Sequence, residues 1–350
     1  MSHAGIIRSI SLEGSDPMSD RTDPGVDAAA ERGDEVETAA SEPIVLPDGG
    51  TIRIGTASWT DPTMTASGVF YPTAATTAEE RLHHYAATFP LVEVDATYYA
   101  LPAESTAKLW VERTPPDFVF DIKAHALMTG QGTETKRLPK AIRTALPEPV
   151  ASKTRIYAKD LPDELLDEVW RTFRDGLGPL ADAGQLGSIL LQYPRWFFPS
   201  SENRAAIEAT VERLDGWTAA VEFRNGSWLN EKNAERTLRF LRDRKIAFVM
   251  VDEPQGFKSS VPPTVAITSD LALVRFHGRN AATWEAKGIT PAERFRYLYP
   301  REELSEWVPP IRHAASEAKD THVLMNNCYA NYGTTNAREL AALLSGELSD

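Results

Sequence analysis

Eight short runs rich in β-branched and apolar residues, separated by longer stretches of helical period, constrain this chain more than any other feature. The runs are Ile52–Ser58, Leu91–Thr97, Phe118–His125, Gly187–Tyr193, Ala219–Arg224, Ala247–Asp252, Leu271–His277 and His322–Asn327. Between most of them the spacing predicts helices over Thr77–Thr88, Ala103–Arg113, Pro162–Ala181, Ser201–Leu214, Glu231–Arg244, Arg301–Ala318 and Thr334–Leu344. The link between the sixth and seventh runs is irregular and Pro-rich, so a helix there is short or missing. Strands alternating with helices pair in parallel, and eight is the number that closes into a single (β/α)8 TIM-type barrel. The competing arrangement is an open doubly wound sheet, but no Gly-rich phosphate fingerprint follows the first run.

Residues 51–350 form that barrel, and residues 1–50 read differently. They lack any aromatic residue and carry eleven Asp/Glu against three Arg, so most of the formal charge of −13 sits there and only −5 remains for the barrel. A segment of this kind buries too little apolar surface to offset its ordering entropy, and we expect a disordered acidic tail. Met18 reads as naturally for a start as Met1. A mildly acidic barrel argues against broad phosphate-backbone binding, which needs clustered Lys and Arg, though not against a local basic pocket. The single cysteine, Cys328, cannot close an internal disulfide, no apolar stretch is long enough to span a membrane, and the N-terminal apolar run is too short for a signal-peptide core. These features predict a cytoplasmic protein with no membrane partner.

Two connections leave the C-terminal ends of strands, where barrel loops build sites: residues 126–160 after the third strand and 253–270 after the sixth. The first is long enough to serve as a lid, or else is a surface insertion.

Alternation along a strand assigns the two faces. If Val92 and Val94, Phe120 and Ile122, and Val221 and Phe223 face the helices, their neighbours point inward: Glu93, Asp95 and Thr97; Lys123 and His125; Glu222 and Arg224. The same count sends Asp252 of the sixth strand inward, with Arg275, His277 and Arg279 of the seventh, and the fourth and eighth offer Gln192 and Asn326. Barrel interiors are usually filled with Val, Ile and Leu, so ionisable groups there must pair or sit at the wet mouth. Aromatic residues flank the same ends: Trp59, Tyr98, Tyr99, Tyr193, Trp196 and Trp228. They could stack a ring or merely wall the mouth, and Trp59 and Trp228 are the choices for ligand contact.

The motifs GTASWTDPTM, VEVDATYYALP, FVFDIKAH, LGSILLQYP, AVEFRNGSW, VRFHGRN and MNNCYANYGTTNA, in this order, resemble the DUF72 (YecE-like) family over about residues 51–345. The resemblance implies a TIM barrel. By motif it carries the family's shared positions onto Trp59, Glu93, Thr97, Tyr99, Lys123, Gln192, Glu222, Arg224, Trp228, Asp252, Arg275, His277, Gly278, Arg279, Asn326, Asn327, Asn336 and Ala337. The second motif usually resembles VEINSTFY, so Asp95 and Tyr98 are departures, and Asp95 adds negative charge near the mouth.

The favoured function is an enzyme acting on an anionic or phosphorylated substrate, a phosphodiester, nucleotide or sugar phosphate. Glu93, Lys123, Glu222 and His277 are the catalytic candidates, with Trp59, Thr97, Tyr99, His125, Gln192, Arg224, Trp228, Asp252, Arg275, Arg279, Asn326, Asn327 and Asn336 as substrate-binding candidates. A divalent metal would recruit Glu93, Glu222, Asp252 and a His, but basic neighbours compete for those carboxylates and no HExxH-type motif is present, so no metal site or cofactor is assigned. Two alternatives stay open: a non-catalytic nucleotide or nucleic-acid binder, and a glycoside hydrolase using Glu93 and Glu222.

Overall fold

The structure, a computed structural model, describes residues 24–47 and 49–348. Eight parallel strands form the barrel: β1 (Thr51–Thr56), β2 (Leu91–Val94), β3 (Val119–Lys123), β4 (Leu186–Tyr193), β5 (Ala219–Phe223), β6 (Ala247–Asp252), β7 (Leu271–Phe276) and β8 (Asp320–Met325). Each pairs with its sequence neighbours, and β8 pairs with β1 while β1 pairs with β2, which closes the sheet. At the β1–β2 seam a Cβ on residue 55 would run into the Leu91 carbonyl, so this position accepts only glycine. Runs such as LVEV and AFVMVD are buried along their whole length because both faces of a barrel strand are covered.

Helices α2 (Ala78–Thr88), α3 (Glu104–Glu112), α4 (Asp163–Asp182), α5 (Ser201–Glu212), α6 (Ala234–Asp243), α7 (Val308–Glu317) and α8 (Tyr332–Ser345) surround the strands, following α1 (Pro24–Asp34). Local chemistry sets their ends. Thr77 and Glu80 form a reciprocal capping box at the start of α2. The helix expected over 301–318 is interrupted: Arg301–Ser305 is a separate turn, and the Pro309–Pro310 pair sits in the first turn of α7, where a missing N–H costs nothing. No helix joins β6 to β7, as the Pro-rich link predicted.

The N-terminal expectation needs correction. The described part of that segment, residues 24–47 with 49 and 50, is not a disordered tail. Helix α1 docks on α8, with Arg32 donating to both oxygens of the buried Glu339 at 2.8 and 2.6 Å and Thr335 Oγ1 donating to the Ala29 carbonyl at 2.7 Å. Ile44–Val45 then adds an antiparallel rung to β1. The segment holds little apolar surface, but its alanines allow close approach and a bidentate Arg–carboxylate pair supplies the rest. Residues 1–23, including Met18, lie outside the described residues.

Residues 126–160 are structured and share the barrel's core, with a two-residue antiparallel pairing of Thr133–Glu134 with Arg155–Ile156 and short helices at Lys140–Ala145 and Glu148–Ala151. Leu138, Ile142 and Ile156 are buried, and Lys140–Ala145 packs on α4. No helix of the described residues is long and apolar enough to cross a membrane.

The barrel interior is charged at both ends. Near the N-terminal end His322 Nδ1 lies 2.8 Å from Asp121 Oδ2, while Asp121 Oδ1 accepts from the Ser188 amide and hydroxyl at 2.8 and 2.7 Å. Burial alone would depress His322, but Asp121 and Asp320 outweigh it and push its pKa up to about 9.

Candidate functional site

Strand pairing decides which side chains share the interior, because register partners in a parallel sheet point to the same face. Gln192 pairs with Glu222, and Val251 pairs with Arg275, which reaches across the barrel between β2 and β5. Arg275 Nη1 donates to Glu222 Oε2 and Nη2 donates to Glu93 Oε1 at 2.7 Å. Glu222 is the hub: its Oε1 also receives Gln192 Nε2 at 2.8 Å and Arg224 Nε at 2.5 Å, with His277 Nε2 at 3.3 Å. Arg224 continues to Glu253 at 3.1 Å and lies 3.1 Å from His277 Nε2, and Asn326 Nδ2 lies 2.9 Å from His277 Nδ1.

Burial and charge pull these groups apart. Burial would raise Glu222, but Arg224 and Arg275 hold its carboxyl well below the usual range. Glu93 goes the other way: burial raises it despite Arg275 and Lys123, and its Oε2 has no hydrogen-bond partner. His277, buried and beside Arg224, is pushed down to about 3 and is neutral at physiological pH. Lys123, at the end of β3, is lowered by burial and by the Arg275 charge. Glu253 is pushed up to about 8 by burial.

Above this network lies a cavity of about 300 Å³. Its walls include Asp95, Tyr99, Lys123, Arg224, Arg294 and Asn326. A second cavity of about 490 Å³ adjoins it, sharing Gln192, Arg224, Arg294 and Phe295 and adding Trp196. Residues 281–296, from the loop after β7, roof both cavities, whereas of residues 126–160 only Gln131 lines either one among the described residues. A larger cavity of about 690 Å³ opens at the opposite end beside Arg53 and His322. In barrels of this kind that N-terminal face serves stability while the C-terminal loops carry chemistry, so the smaller mouth cavity is the candidate site.

The structure brings Glu93, Lys123, Gln192, Glu222, Arg224, Arg275, His277 and Asn326 together at the mouth, with Tyr99 on the rim. It separates the others. Asp252 pairs with Phe276, not Arg275, and therefore faces the helix layer, where it accepts from Tyr299 Oη and Trp307 Nε1, each at 2.7 Å. Arg279 follows it there, bound to Asp252 and Glu306. The inward assignment fails for two reasons: β6 is apolar on both faces and gives no phase for Asp252, and Arg279 lies beyond the end of β7, past Gly278, whose φ of +82° breaks the strand alternation. Trp228 is fully buried between Phe223 and Phe197, and Trp59 packs edge-on against Trp110 and Phe120, so neither is placed for ligand contact.

Thr97 donates to the Lys123 carbonyl at 2.6 Å and secures the strand end. His125 caps the turn at Ala126–Thr129, and burial pushes it down to about 4. Asn327 donates to the Tyr297 carbonyl at 2.8 Å and Asn336 to the Tyr299 carbonyl at 3.0 Å, tying the loop after β7 to α8. The glycosidase expectation also fails, since Glu93 and Glu222 are both sealed from solvent and share one guanidinium instead of facing an open cleft.

Sequence reasoning missed Arg294, Glu253 and Gln131. Glu253 and Gln131 sit in loops and Arg294 ends a single helical turn, Pro291–Arg294, so no periodicity marks a direction. Among the described residues no three His, Cys, Asp or Glu side chains converge to hold a metal ion.

Comparison with known proteins agrees with this architecture. The family described as "Protein of unknown function DUF72" matches residues 53–349. The UPF0759 protein YunF of Bacillus subtilis is 30% identical over 302 residues, covering 85% of this chain and 96% of the relative. YecE of Escherichia coli K12 is 27% identical over 249 residues, covering 66% and 76%. Crystal structures of DUF72 proteins from Enterococcus faecalis and Thermotoga maritima superpose with TM-scores of 0.67 and 0.65 at 27% and 29% identity, covering 85% and 84% of this chain and 96% and 99% of theirs. The chain belongs to the DUF72 family.

Proposed function

We propose that the barrel mouth binds a small anionic or phosphorylated molecule and acts on it, with a phosphodiester, nucleotide or sugar phosphate as the substrate class. The observation that carries this reading is the state of two basic groups lining one cavity, Arg294 in its roof and Lys123 at its floor. Arg294 donates only to main-chain carbonyls, those of Thr283, Trp284 and Ala286, so no described carboxylate offsets its charge. Lys123 makes no ion pair with any described carboxylate; its Nζ lies 5.1 Å from the Tyr98 ring centroid. An anion entering the cavity gains direct ion pairs in a partly desolvated place, where such pairs are strong.

The network beneath divides the labour. Glu222, held charged by two arginines, suits positioning and not proton transfer. Glu93, with one oxygen lacking a hydrogen-bond partner and a raised pKa, is sealed beneath Lys123 and tunes the floor without meeting substrate. Thermal-shift titration with phosphorylated metabolites and their dephosphorylated counterparts tests the reading. Only the charged members should raise the midpoint, and Arg294→Ala should abolish the rise. Equal shifts from uncharged analogues, or an undiminished rise in Arg294→Ala, end it.

A second reading, a non-catalytic nucleotide or nucleic-acid binder, draws on Trp196, 58% exposed beside the adjoining cavity. It requires oligonucleotide affinity that falls with Trp196→Ala and with added salt, and unchanged ligand on recovery.

A further inference from the structure

We infer that Lys123 is an imine-forming nucleophile, condensing with the carbonyl of a small substrate whose anionic group is held by Arg294; this rests on the anion-site reading above. The substrate class is an aldehyde or ketone bearing a carboxylate or phosphate.

The case starts from position. Lys123 is the last residue of β3, and its side chain reaches the floor of the mouth cavity. Thr97 pins its carbonyl, so the strand end that aims the amine is fixed. A lysine kept there only to neutralise carboxylates would be paired with one. Instead Arg275 takes both Glu93 and Glu222, Arg224 takes Glu222 and Glu253, and Lys123 forms no ion pair with a described residue. The amine is thus the one basic group of the floor that the charge network does not consume.

Its surroundings favour the free amine. Burial and the neighbouring Arg275 cation penalise the ammonium form and outweigh Glu93, Asp95 and Glu222, whose charges favour it, so the Lys123 pKa is lowered. Asp95 lines the same cavity, and burial raises its pKa, which favours the protonated carboxyl the proton transfers need.

The steps balance with these groups alone. The neutral Lys123 amine adds to the carbonyl carbon, forming a C–N bond, and the carbonyl π pair becomes an alkoxide that takes a proton from the Asp95 carboxyl. The nitrogen returns one proton to the Asp95 carboxylate. That carboxyl then protonates the hydroxyl, which leaves as water while the nitrogen lone pair closes the C=N bond. The product is a protonated imine and one water. Its positive charge is favoured by the charges of Glu93, Asp95 and Glu222, which act on the Lys123 nitrogen. The departure from the family pattern at Asp95 thereby acquires a role, as the proton carrier.

The test uses the full chain with pyruvate and, separately, dihydroxyacetone phosphate, each with sodium cyanoborohydride, followed by intact mass and peptide mapping. We expect one reduced adduct, on Lys123, formed ahead of exposed lysines such as Lys136 and Lys319. Lys123→Arg, which keeps the charge and lacks the nucleophile, should lose it. Arg294→Ala should slow it, and inorganic phosphate should compete.

Labelling spread over surface lysines with Lys123 unmodified, or an adduct count unchanged in folded Lys123→Arg, overturns the inference. The two claims separate cleanly. Phosphate raising the thermal midpoint with no adduct on Lys123 sinks the imine alone, whereas an adduct on Lys123 indifferent to phosphate and to Arg294→Ala sinks the anion site alone.

Discussion

Replacing Arg275 by Met tests the energetics of the mouth network most sharply. The side chain is 1% exposed and joins two carboxylates that are themselves sealed from solvent. Met fills most of the volume, so the loss is electrostatic. Glu222 keeps Arg224 and Gln192, but Glu93 loses its hydrogen-bond donor and, among the described residues, keeps only the nearby Lys123 charge. Breaking a buried pair by removing one partner costs about 3–5 kcal/mol, a large share of the roughly 5–15 kcal/mol that stabilises a typical protein.

The cost must depend on pH, with a definite sign. Glu93 is already raised, and without Arg275 it rises further above its unfolded value. A carboxyl raised in the folded state destabilises at high pH, and the penalty is relieved as pH falls through the folded pKa. Urea unfolding followed by tryptophan fluorescence at pH 5.5, 7 and 8.5, titration points of about one to two pH units' spacing around neutrality, should therefore give a penalty that shrinks towards acid. The double variant Arg275→Met with Glu93→Gln should recover much of the loss at neutral pH. A penalty below about 1 kcal/mol, the worth of an exposed pair, or one that ignores pH, refutes the reasoning.

Other outcomes follow from the same contacts. His322, raised to about 9 by Asp121 and Asp320, stabilises fully below its unfolded value near 6.5 and loses that contribution as pH rises through about 9; Asp121→Asn should flatten the urea midpoint across this window, and an unchanged pH profile counts against the pair. Arg32→Ala should free α1 from α8 and expose residues 24–50 to limited proteolysis while the barrel stays folded, and wild-type protection would contradict the docking described. Gly55→Ala should prevent barrel closure and yield insoluble protein; a soluble variant of normal stability would contradict the steric argument at the seam. Trp228→Phe should lower stability by about 1–3 kcal/mol, the usual range for a core substitution, without changing ligand affinity, since the indole is buried and donates to the Phe197 carbonyl.

The barrel itself was legible because strand and helix periods differ and the chain alternates between them. Gly187–Tyr193 and Ala247–Asp252 fall within a residue of the observed strands. Charged residues inside apolar runs were legible too: Glu93 in LVEV and Arg275 in LALVRF interrupt an otherwise continuous sequence, and an interrupting charge must be paired inside. The phase of AFVMVD was not legible, because a strand buried on both faces has no alternation to read. The register with β5 and β7 fixes it, and it turns Asp252 outward.

Trp59 and Trp228 follow strand ends, but position along the chain says nothing about which layer a loop side chain enters. Helix α1 was hidden by composition, since its docking depends on partners such as Glu339 some three hundred residues away. Arg294 was invisible for the same reason: its significance lies in which groups leave it uncompensated, a property of the fold alone.

The central claim, that Lys123 and Arg294 make the mouth an anion site, is most directly tested by crystallising the protein with selenate and locating the anomalous signal. The account predicts a peak in the cavity within hydrogen-bond reach of Lys123 Nζ or the Arg294 guanidinium, absent in Arg294→Ala crystals. A peak confined to the N-terminal cavity beside Arg53 and Lys319, with the mouth empty, would contradict it.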